Sequence, residues 1–213
     1  MPEFPYKSPL LKVCGLTRRQ DVVACVDLGI DLVGFIFVPD SPRAVTPGLV
    51  ASFPTGRALR VGVFAGSSPD EVLEIAAQAR LDLIQLHGGE NVDYCRALDG
   101  KRLIKVLWPE NMSEQALQQA VEAFSPCCAA FLFDAGKSGG GSGRPLQWKR
   151  PAGLHLAKPW FLAGGLNPDN FNQALQDCRP TGLDFNSGVE IAPGVKDIEL
   201  VKQIMRLKES ANA

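Results

Sequence analysis

The chain has 213 residues, of which 46% are hydrophobic and 21% charged, and its formal net charge at pH 7 is −1. That length is enough for one domain with a substantial core, and it lies near the lower limit for a complete eightfold α/β barrel. The near-neutral charge excludes a general electrostatic attraction to nucleic acid or to acidic membranes. We therefore expect no nucleic-acid partner, and any bound anion must be held by local groups.

The start of the chain and its longest apolar runs argue against a membrane protein. Met1–Pro9 is polar and has no apolar stretch of the kind found in secretory signals. The longest apolar runs, Leu32–Val38 and Cys127–Phe133, are far shorter than the roughly 20 residues that span a bilayer. We expect a soluble, cytoplasmic protein with no membrane partner.

The six cysteines indicate neither a disulfide framework nor a zinc site. Cys127 and Cys128 are adjacent, the others are scattered, and no C-x-x-C pair is present. The two histidines, His87 and His155, lie in unrelated segments, so we expect no metal. We interpret five of the cysteines as small buried hydrophobic residues and treat Cys14 separately.

Short, almost continuously apolar segments recur along the chain, as is typical of strands buried on both faces in a parallel sheet. They begin near Leu11, Leu32, Arg60, Leu81, Arg102, Ala129, Trp160 and Gly182. Between them lie amphipathic stretches with helix-start signals, such as Thr17–Leu28 with a predicted Thr17 cap, and Ser113–Phe124.

Eight strands with crossover segments favour a closed (β/α)8 barrel (a TIM barrel) of the α/β class over an open doubly wound sheet. We predict a single domain, with an N-terminal extension over residues 1–10, the barrel over 11–208 and a C-terminal tail over 209–213. The segment Gly139–Gly143 resembles a linker in composition, but we interpret it as a mobile loop because barrel segments flank it.

In such barrels, active groups project from the carboxyl ends of the strands. Cys14 ends the first predicted strand and Asp134 the sixth, so a thiol and a carboxyl should face the same mouth. They can divide the roles of general base and acid if the thiol is partly ionised and the carboxyl partly protonated near neutral pH. The alternative for Cys14 is a buried structural cysteine. His87, at the end of the fourth strand, is either a substrate contact, an orienting group or a structural cap of a tight turn.

Glycine-rich segments after strands six, seven and eight suggest a phosphate site at one corner of the mouth. The candidate residues are Gly141, Gly143, Gly164, Gly165, Ser187 and Gly188. A short helix beginning near Val189, which Glu190 would cap, is expected to add its positive end. The alternative is that each glycine only permits a tight turn.

Two charged residues complete the predicted site. Arg43 follows the second strand, where a guanidinium suits a planar carboxylate; the alternative is a surface arginine. Lys12 lies two residues before Cys14, so it should face the barrel interior one layer deeper. Because a buried ammonium needs a partner, we hypothesise an ion pair with Asp184 that also favours the Cys14 thiolate. The alternative is a lysine that reaches solvent at the lower rim.

These segments resemble phosphoribosylanthranilate isomerases along nearly the whole chain, from Lys12 to Met205. The characteristic segments occur in the family's order: KVCGLTR, GFIFVPDSPRAV, VGVFAG, IQLHGGE, FLAGGLNPDN and GLDFNSGVEIAPGVKD. The resemblance implies an Amadori rearrangement of N-(5-phosphoribosyl)anthranilate in tryptophan biosynthesis, with no metal or other cofactor. It also implies that Cys14 is the base, Asp134 the acid and Arg43 the ligand of the anthranilate carboxylate.

The chain departs from the commonest family pattern in GGGSGRPLQW and in DFNSG, which leaves open which side chains contact phosphate. The closest alternative is another phosphosugar barrel. Indole-glycerol-phosphate synthase would need a lysine and glutamate pair at its own motif positions, and the histidine-pathway isomerase an aspartate in place of Cys14. A non-catalytic binder of phosphorylated ligands is the alternative from another class. Because the family is mostly monomeric, we expect a monomer with a small-molecule phosphosugar substrate.

Overall fold

The computed structural model describes residues 9–134 and 154–211, and its centre is a closed barrel of eight parallel strands in chain order. The strands are β1 (Leu10–Val13), β2 (Leu32–Ile36), β3 (Leu59–Phe64), β4 (Leu83–Leu86), β5 (Leu103–Leu107), β6 (Ala130–Asp134), β7 (Trp160–Ala163) and β8 (Gly182–Phe185). The predicted single-domain (β/α)8 barrel is thus confirmed.

Helices follow the strands. They are α1 (Arg19–Asp27), α2 (Pro47–Ala51), α3 (Pro69–Gln78), α4 (Val92–Ala97), α5 (Glu114–Phe124), α6 (Phe171–Cys178) and α7 (Ile198–Ala211). Most of the connection between β6 and β7, including the predicted loop Gly139–Gly143, lies outside the described residues. Within the described ranges, no helix is long and apolar enough to cross a membrane.

Local sequence explains how the helices begin. Before α3, the Ser68 hydroxyl accepts from the Glu71 backbone N–H, and the Glu71 carboxylate accepts from the Ser68 N–H, which is a capping box. The predicted Thr17 cap of α1 is wrong, because the residue at the cap position is Arg18. The Thr17 hydroxyl instead donates to Gly194 O at 2.7 Å, which ties the end of β1 to a later hairpin.

Side-chain alternation along the strands decides which residues reach the barrel mouth. One buried apolar cluster takes alternate residues of the strands and fills the barrel: Leu10, Leu32, Val61, Leu83, Ile104, Val106, Ala130, Leu132, Phe161 and Ala163. A larger cluster joins the outer strand faces to the helices. Residues that continue the inner pattern at the carboxyl ends of the strands therefore point into the mouth.

The segment after β8 differs from the prediction. A single 3₁₀ turn spans Ser187–Val189, and an antiparallel hairpin of β9 (Glu190–Ala192) and β10 (Val195–Lys196) follows it. The expected helix beginning near Val189, with Glu190 as its cap, is therefore wrong. Helix α7 continues beyond residue 208 to Ala211; the division into extension, barrel and tail stays a prediction.

Candidate active site

A cavity of about 520 Å³ lies at the carboxyl ends of the barrel strands. Predicted site residues in its wall are Cys14, His87, Asp134, Gly164, Gly165, Ser187 and Gly188. Arg43 lies beside this wall, with its Cδ 2.7 Å from the point where a Cβ on Gly15 would stand. Gly141 and Gly143 lie outside the described residues.

Cys14 is buried at the end of β1, with 4% of its surface exposed. Its backbone N–H donates to Phe185 O at 2.8 Å, which anchors it to β8. On the other side, β2 carries Gly34, where a Cβ would stand only 2.9 Å from Cys14 Sγ. The glycine therefore provides the space that the thiol occupies.

A buried ion pair lies below the thiol. Lys12 Nζ donates to Asp184 Oδ2 at 2.8 Å, and the strand register places the two residues side by side on β1 and β8. Both side chains are buried, so the hypothesised pair is confirmed and the alternative of a solvent-reaching lysine is wrong. Burial alone would lower the pKa of Lys12, but the negative charge of Asp184, and at alkaline pH that of the Cys14 thiolate, outweighs burial and raises that pKa. The ammonium therefore stays charged.

Burial raises the pKa of the Cys14 thiol above its ordinary value. The positive charge of Lys12 opposes this rise, whereas the negative charge of Asp184 adds to it. In the free protein Cys14 is therefore mainly a neutral thiol at pH 7. The structure therefore does not support the predicted partial ionisation of the thiol. The desolvation of Cys14 outweighs the effect of the Lys12 ammonium, because the negative charge of Asp184 offsets part of that effect.

Asp134, at the end of β6, faces the imidazole of His87. His87 Nε2 lies 3.4 Å from Asp134 Oδ2, and Gln85 Nε2 lies 3.1 Å from His87 Nδ1. The imidazole therefore lies between the Gln85 amide and the Asp134 carboxyl. The indole of Trp108 packs edge-on against the imidazole, with ring centroids 5.5 Å apart. His87 thus lies against the Asp134 carboxyl.

Arg43 is held by a carboxylate that the sequence did not assign to it. Glu190 accepts from Arg43 Nε at 2.9 Å and from Arg43 Nη2 at 2.6 Å. The outer edge of the guanidinium consists of Nη1 and the second hydrogen of Nη2. No side chain among the described residues bonds to this edge, so it can bind a ligand. Arg43 is therefore fixed in orientation and is not a mobile surface arginine.

Glu190 is itself held by buried groups. Lys196 Nζ donates to Glu190 Oε1 at 2.7 Å and to Asn186 Oδ1 at 3.1 Å, and Gly194 N donates to Glu190 Oε1 at 3.1 Å. Burial by itself raises the pKa of Glu190, but hydrogen bonds from Arg43 and Lys196 hold it below its ordinary value. The carboxylate is therefore charged at neutral pH.

The loops after β7 and β8 approach each other closely. Gly164 and Gly165 have φ angles of +97° and +65°, a backbone region that favours glycine. A Cβ on Gly188 would stand 1.9 Å from Leu166 O, so only glycine fits there. The 3₁₀ turn that contains Ser187 thus packs on the loop after β7, and the two loops form one corner of the cavity.

Sequence reasoning missed Gln85, Lys196 and the contact between Glu190 and Arg43. Gln85 had a usable signal, because it precedes His87 by two residues, as Lys12 precedes Cys14. Lys196 had none, since a lysine in a hairpin is ordinarily exposed.

The chain is similar to proteins of one known family. Residues 11–206 match the family model described as N-(5'phosphoribosyl)anthranilate (PRA) isomerase. The N-(5'-phosphoribosyl)anthranilate isomerase of Maridesulfovibrio salexigens is 45% identical over 191 residues, which cover 89% of this chain and 93% of that protein.

Solved structures give the same result. The phosphoribosyl anthranilate isomerase of Thermus thermophilus has a TM-score of 0.82 and 31% identity, covering 96% of this chain and 100% of its own. A phosphoribosyl anthranilate isomerase in complex with reduced 1-(o-carboxyphenylamino)-1-deoxyribulose 5-phosphate has a TM-score of 0.78 and 29% identity, covering 94% and 98%. The chain belongs to the N-(5'-phosphoribosyl)anthranilate isomerase family.

Proposed function

We propose that this chain isomerises N-(5-phosphoribosyl)anthranilate to 1-(2-carboxyphenylamino)-1-deoxyribulose 5-phosphate, a step of tryptophan biosynthesis. Cys14 acts as general base and Asp134 as general acid. The observation that carries the proposal is that this thiol and this carboxyl line one cavity at the barrel mouth. In the reaction C2′ is oxidised to a ketone while C1′ is reduced to an amine-bearing carbon, so no external oxidant or reductant takes part.

Asp134 supplies the first proton. Its transfer to the ribose ring oxygen breaks the bond between that oxygen and C1′, and leaves a protonated Schiff base between C1′ and the anthranilate nitrogen. His87 Nε2 lies 3.4 Å from Asp134 Oδ2, and a hydrogen on that nitrogen stabilises the carboxylate that remains. A general acid step of this kind contributes about 10²–10⁴ in rate.

Cys14 removes the proton from C2′. The Schiff-base cation acidifies that C–H bond, and its removal gives an enolamine that tautomerises to the ketone. Because burial raises the pKa of Cys14 in the free protein, the thiol must first lose its proton to solvent, and a nearby cation favours that ionisation. The substrate cation has this effect during the reaction and adds to the effect of Lys12.

Separate groups bind the two ends of the substrate. The open edge of the Arg43 guanidinium binds the anthranilate carboxylate through two parallel hydrogen bonds. Backbone N–H groups and a serine hydroxyl bind the phosphate. The proposed phosphate-binding residues are Gly141, Gly143, Gly164, Gly165, Ser187 and Gly188. The packing of Gly188 on Leu166 O supports this corner.

Incubation of the purified protein with N-(5-phosphoribosyl)anthranilate tests the proposal, because the fluorescence of this substrate is lost as it isomerises. A steady loss of fluorescence with formation of one product of unchanged mass supports it. Binding of the substrate without any turnover would contradict it and indicate a non-catalytic binder.

We further propose that the chain acts as a monomer in the cytoplasm. Among the described residues, the exposed large hydrophobic side chains are Leu49 and Ile191, which lie on the separate elements α2 and β9. They form no broad apolar face of the kind that stable dimers bury. Light scattering should give a mass near 22.9 kDa, and twice that mass would contradict the monomer; cell fractionation tests the location.

A further inference from the structure

Two buried oxygen atoms on the cavity floor have no hydrogen-bond partner within the described parts of the chain, Gln85 Oε1 and Asp184 Oδ1. Gln85 is 1% exposed and Asp184 7%, and both residues line the cavity that contains Cys14 and Asp134. Leaving a buried acceptor unpaired destabilises the folded protein, and does so more strongly for a charged group. The folded protein therefore presents two acceptors to donors that must come from elsewhere.

Contacts on the far side of each group fix which oxygen faces the cavity. Asp184 Oδ2 accepts from Lys12 Nζ at 2.8 Å, so Oδ1 is the oxygen that remains. Gln85 Nε2 lies 3.1 Å from His87 Nδ1, and Oε1, on the other side of the amide group, is the atom without a partner. Since β4 and β8 stand on opposite sides of the closed barrel, the two acceptors reach the floor from opposite walls.

We propose that Asp184 Oδ1 and Gln85 Oε1 accept hydrogen bonds from the hydroxyl groups on C2′ and C3′ of the substrate's pentose. This inference rests on the proposed function, which places the sugar between Cys14 and Asp134. A carboxylate and an amide oxygen only accept hydrogen bonds. They therefore favour a ligand whose sugar carbons carry hydroxyl donors. A C2′ hydroxyl held in this way also fixes the C2′–H bond relative to the Cys14 thiol, and proton transfer depends on that geometry.

Ordered water can satisfy the same two oxygens in the free protein, so the test must vary the ligand's own hydroxyl groups. The probes are the unreactive reduced product analogue, reduced 1-(2-carboxyphenylamino)-1-deoxyribulose 5-phosphate, and two versions that lack the hydroxyl on C2 or on C3. Calorimetry gives the dissociation constant of each. We expect removal of either hydroxyl to weaken binding to the wild-type protein about 10-fold or more.

Two sets of variants remove the acceptors separately. Gln85→Met deletes one acceptor at similar volume, and Gln85→Glu is its matched control because it keeps an oxygen at the same place. Lys12→Met combined with Asp184→Leu deletes the other acceptor without leaving a buried charge unpaired. In each acceptor-deleting variant, the effect of one hydroxyl deletion should fall below about 2-fold, while the other deletion keeps its full effect.

A purely structural role would weaken binding of all three ligands equally and leave their ratios unchanged, which would overturn the inference. Equal binding of all three ligands by the wild-type protein would overturn it as well. In the described residues no hydrogen bond or salt bridge joins Gln85 to the ion pair, so the Gln85 variants remain decisive if the double variant fails to fold. Normal isomerisation without this coupling rejects the inference alone, whereas a wild-type protein that neither binds the intact analogue nor isomerises the substrate rejects the proposed function.

Discussion

The carboxylate of Glu190 accepts hydrogen bonds from the guanidinium of Arg43, from Nε at 2.9 Å and from Nη2 at 2.6 Å. The contact joins the loop after β2 to the hairpin after β8, across the end of β1. There is no spare room at this crossing, since a Cβ on Gly15 would stand 2.7 Å from Arg43 Cδ. The guanidinium is thus oriented before a ligand binds. Binding therefore costs less side-chain conformational entropy.

Replacing Glu190 should weaken substrate binding through Arg43. Glu190→Gln keeps the size of the side chain but removes the charge that holds the guanidinium, so we expect KM to rise about 10-fold with kcat changed by less than about 3-fold. Steady-state kinetics measures both constants.

The Arg43→Ala background provides the control for this prediction. Once Arg43 is absent, Glu190→Gln should change KM by less than about 2-fold, because the two residues act through one interaction. A fall in kcat at unchanged KM would show that Glu190 takes part in the chemical step and does not orient Arg43.

Lys12 should control the ionisation of Cys14. Lys12→Met removes a positive charge that favours the thiolate, so the pKa of Cys14 should rise further above its already raised value. Each pKa unit lowers the thiolate fraction at neutral pH about 10-fold. We expect kcat/KM at pH 7 to fall at least about 10-fold, and its alkaline rise to move to higher pH. Alkylation of Cys14 across pH, followed by mass spectrometry of its peptide, measures the shift directly.

Asp184→Asn is the matched control, and it should shift the pKa of Cys14 in the opposite direction. It removes a negative charge that raises the pKa of Cys14, so alkylation of the thiol should begin at lower pH than in the wild type. If the pH dependence of Cys14 alkylation is the same in both variants as in the wild type, the ion pair has no influence on the pKa of the thiol.

Gly188 should be required for the shape of the proposed phosphate-binding corner, where the loops after β7 and β8 meet. A Cβ there would stand 1.9 Å from the backbone oxygen of Leu166, which cannot rotate away, so the 3₁₀ turn must move. Gly188→Ala should lower the free energy of unfolding by about 1–3 kcal/mol and raise KM. Thermal unfolding and kinetics measure the two effects.

Gly48→Ala is the control for that substitution, because nothing lies within 4 Å of a Cβ at Gly48. It should leave both the unfolding temperature and KM close to wild type. If Gly188→Ala behaves in the same way, the close approach of the two loops is not needed for phosphate binding.

The sequence predicted the barrel well because its strands are buried on both faces. Runs such as Leu32–Ile36 are almost wholly apolar and show where strands lie without any knowledge of their partners. The segment after Gly188 was predicted wrongly for a physical reason. A helix start and a 3₁₀ turn share the same local signals, and Glu190 follows the tertiary contacts with Arg43 and Lys196 instead.

The candidate site was predictable where strand geometry alone places a side chain. Alternation by two residues placed Lys12 beneath Cys14 and beside Asp184, and the structure has that contact at 2.8 Å. The ionisation state of Cys14 was not predictable, because it depends on the balance between desolvation and two opposite neighbouring charges. The size of each effect depends on distances and burial that only the folded structure determines.

Turnover by Cys14→Ala and Asp134→Ala, set beside their affinity for the reduced product analogue, tests the central proposal most directly. If a thiol base and a carboxyl acid perform the proton transfers, each variant should lose at least about 100-fold in kcat while binding the analogue within a few-fold of wild type. Near-normal turnover in either variant would contradict the proposal and remove that residue from the mechanism.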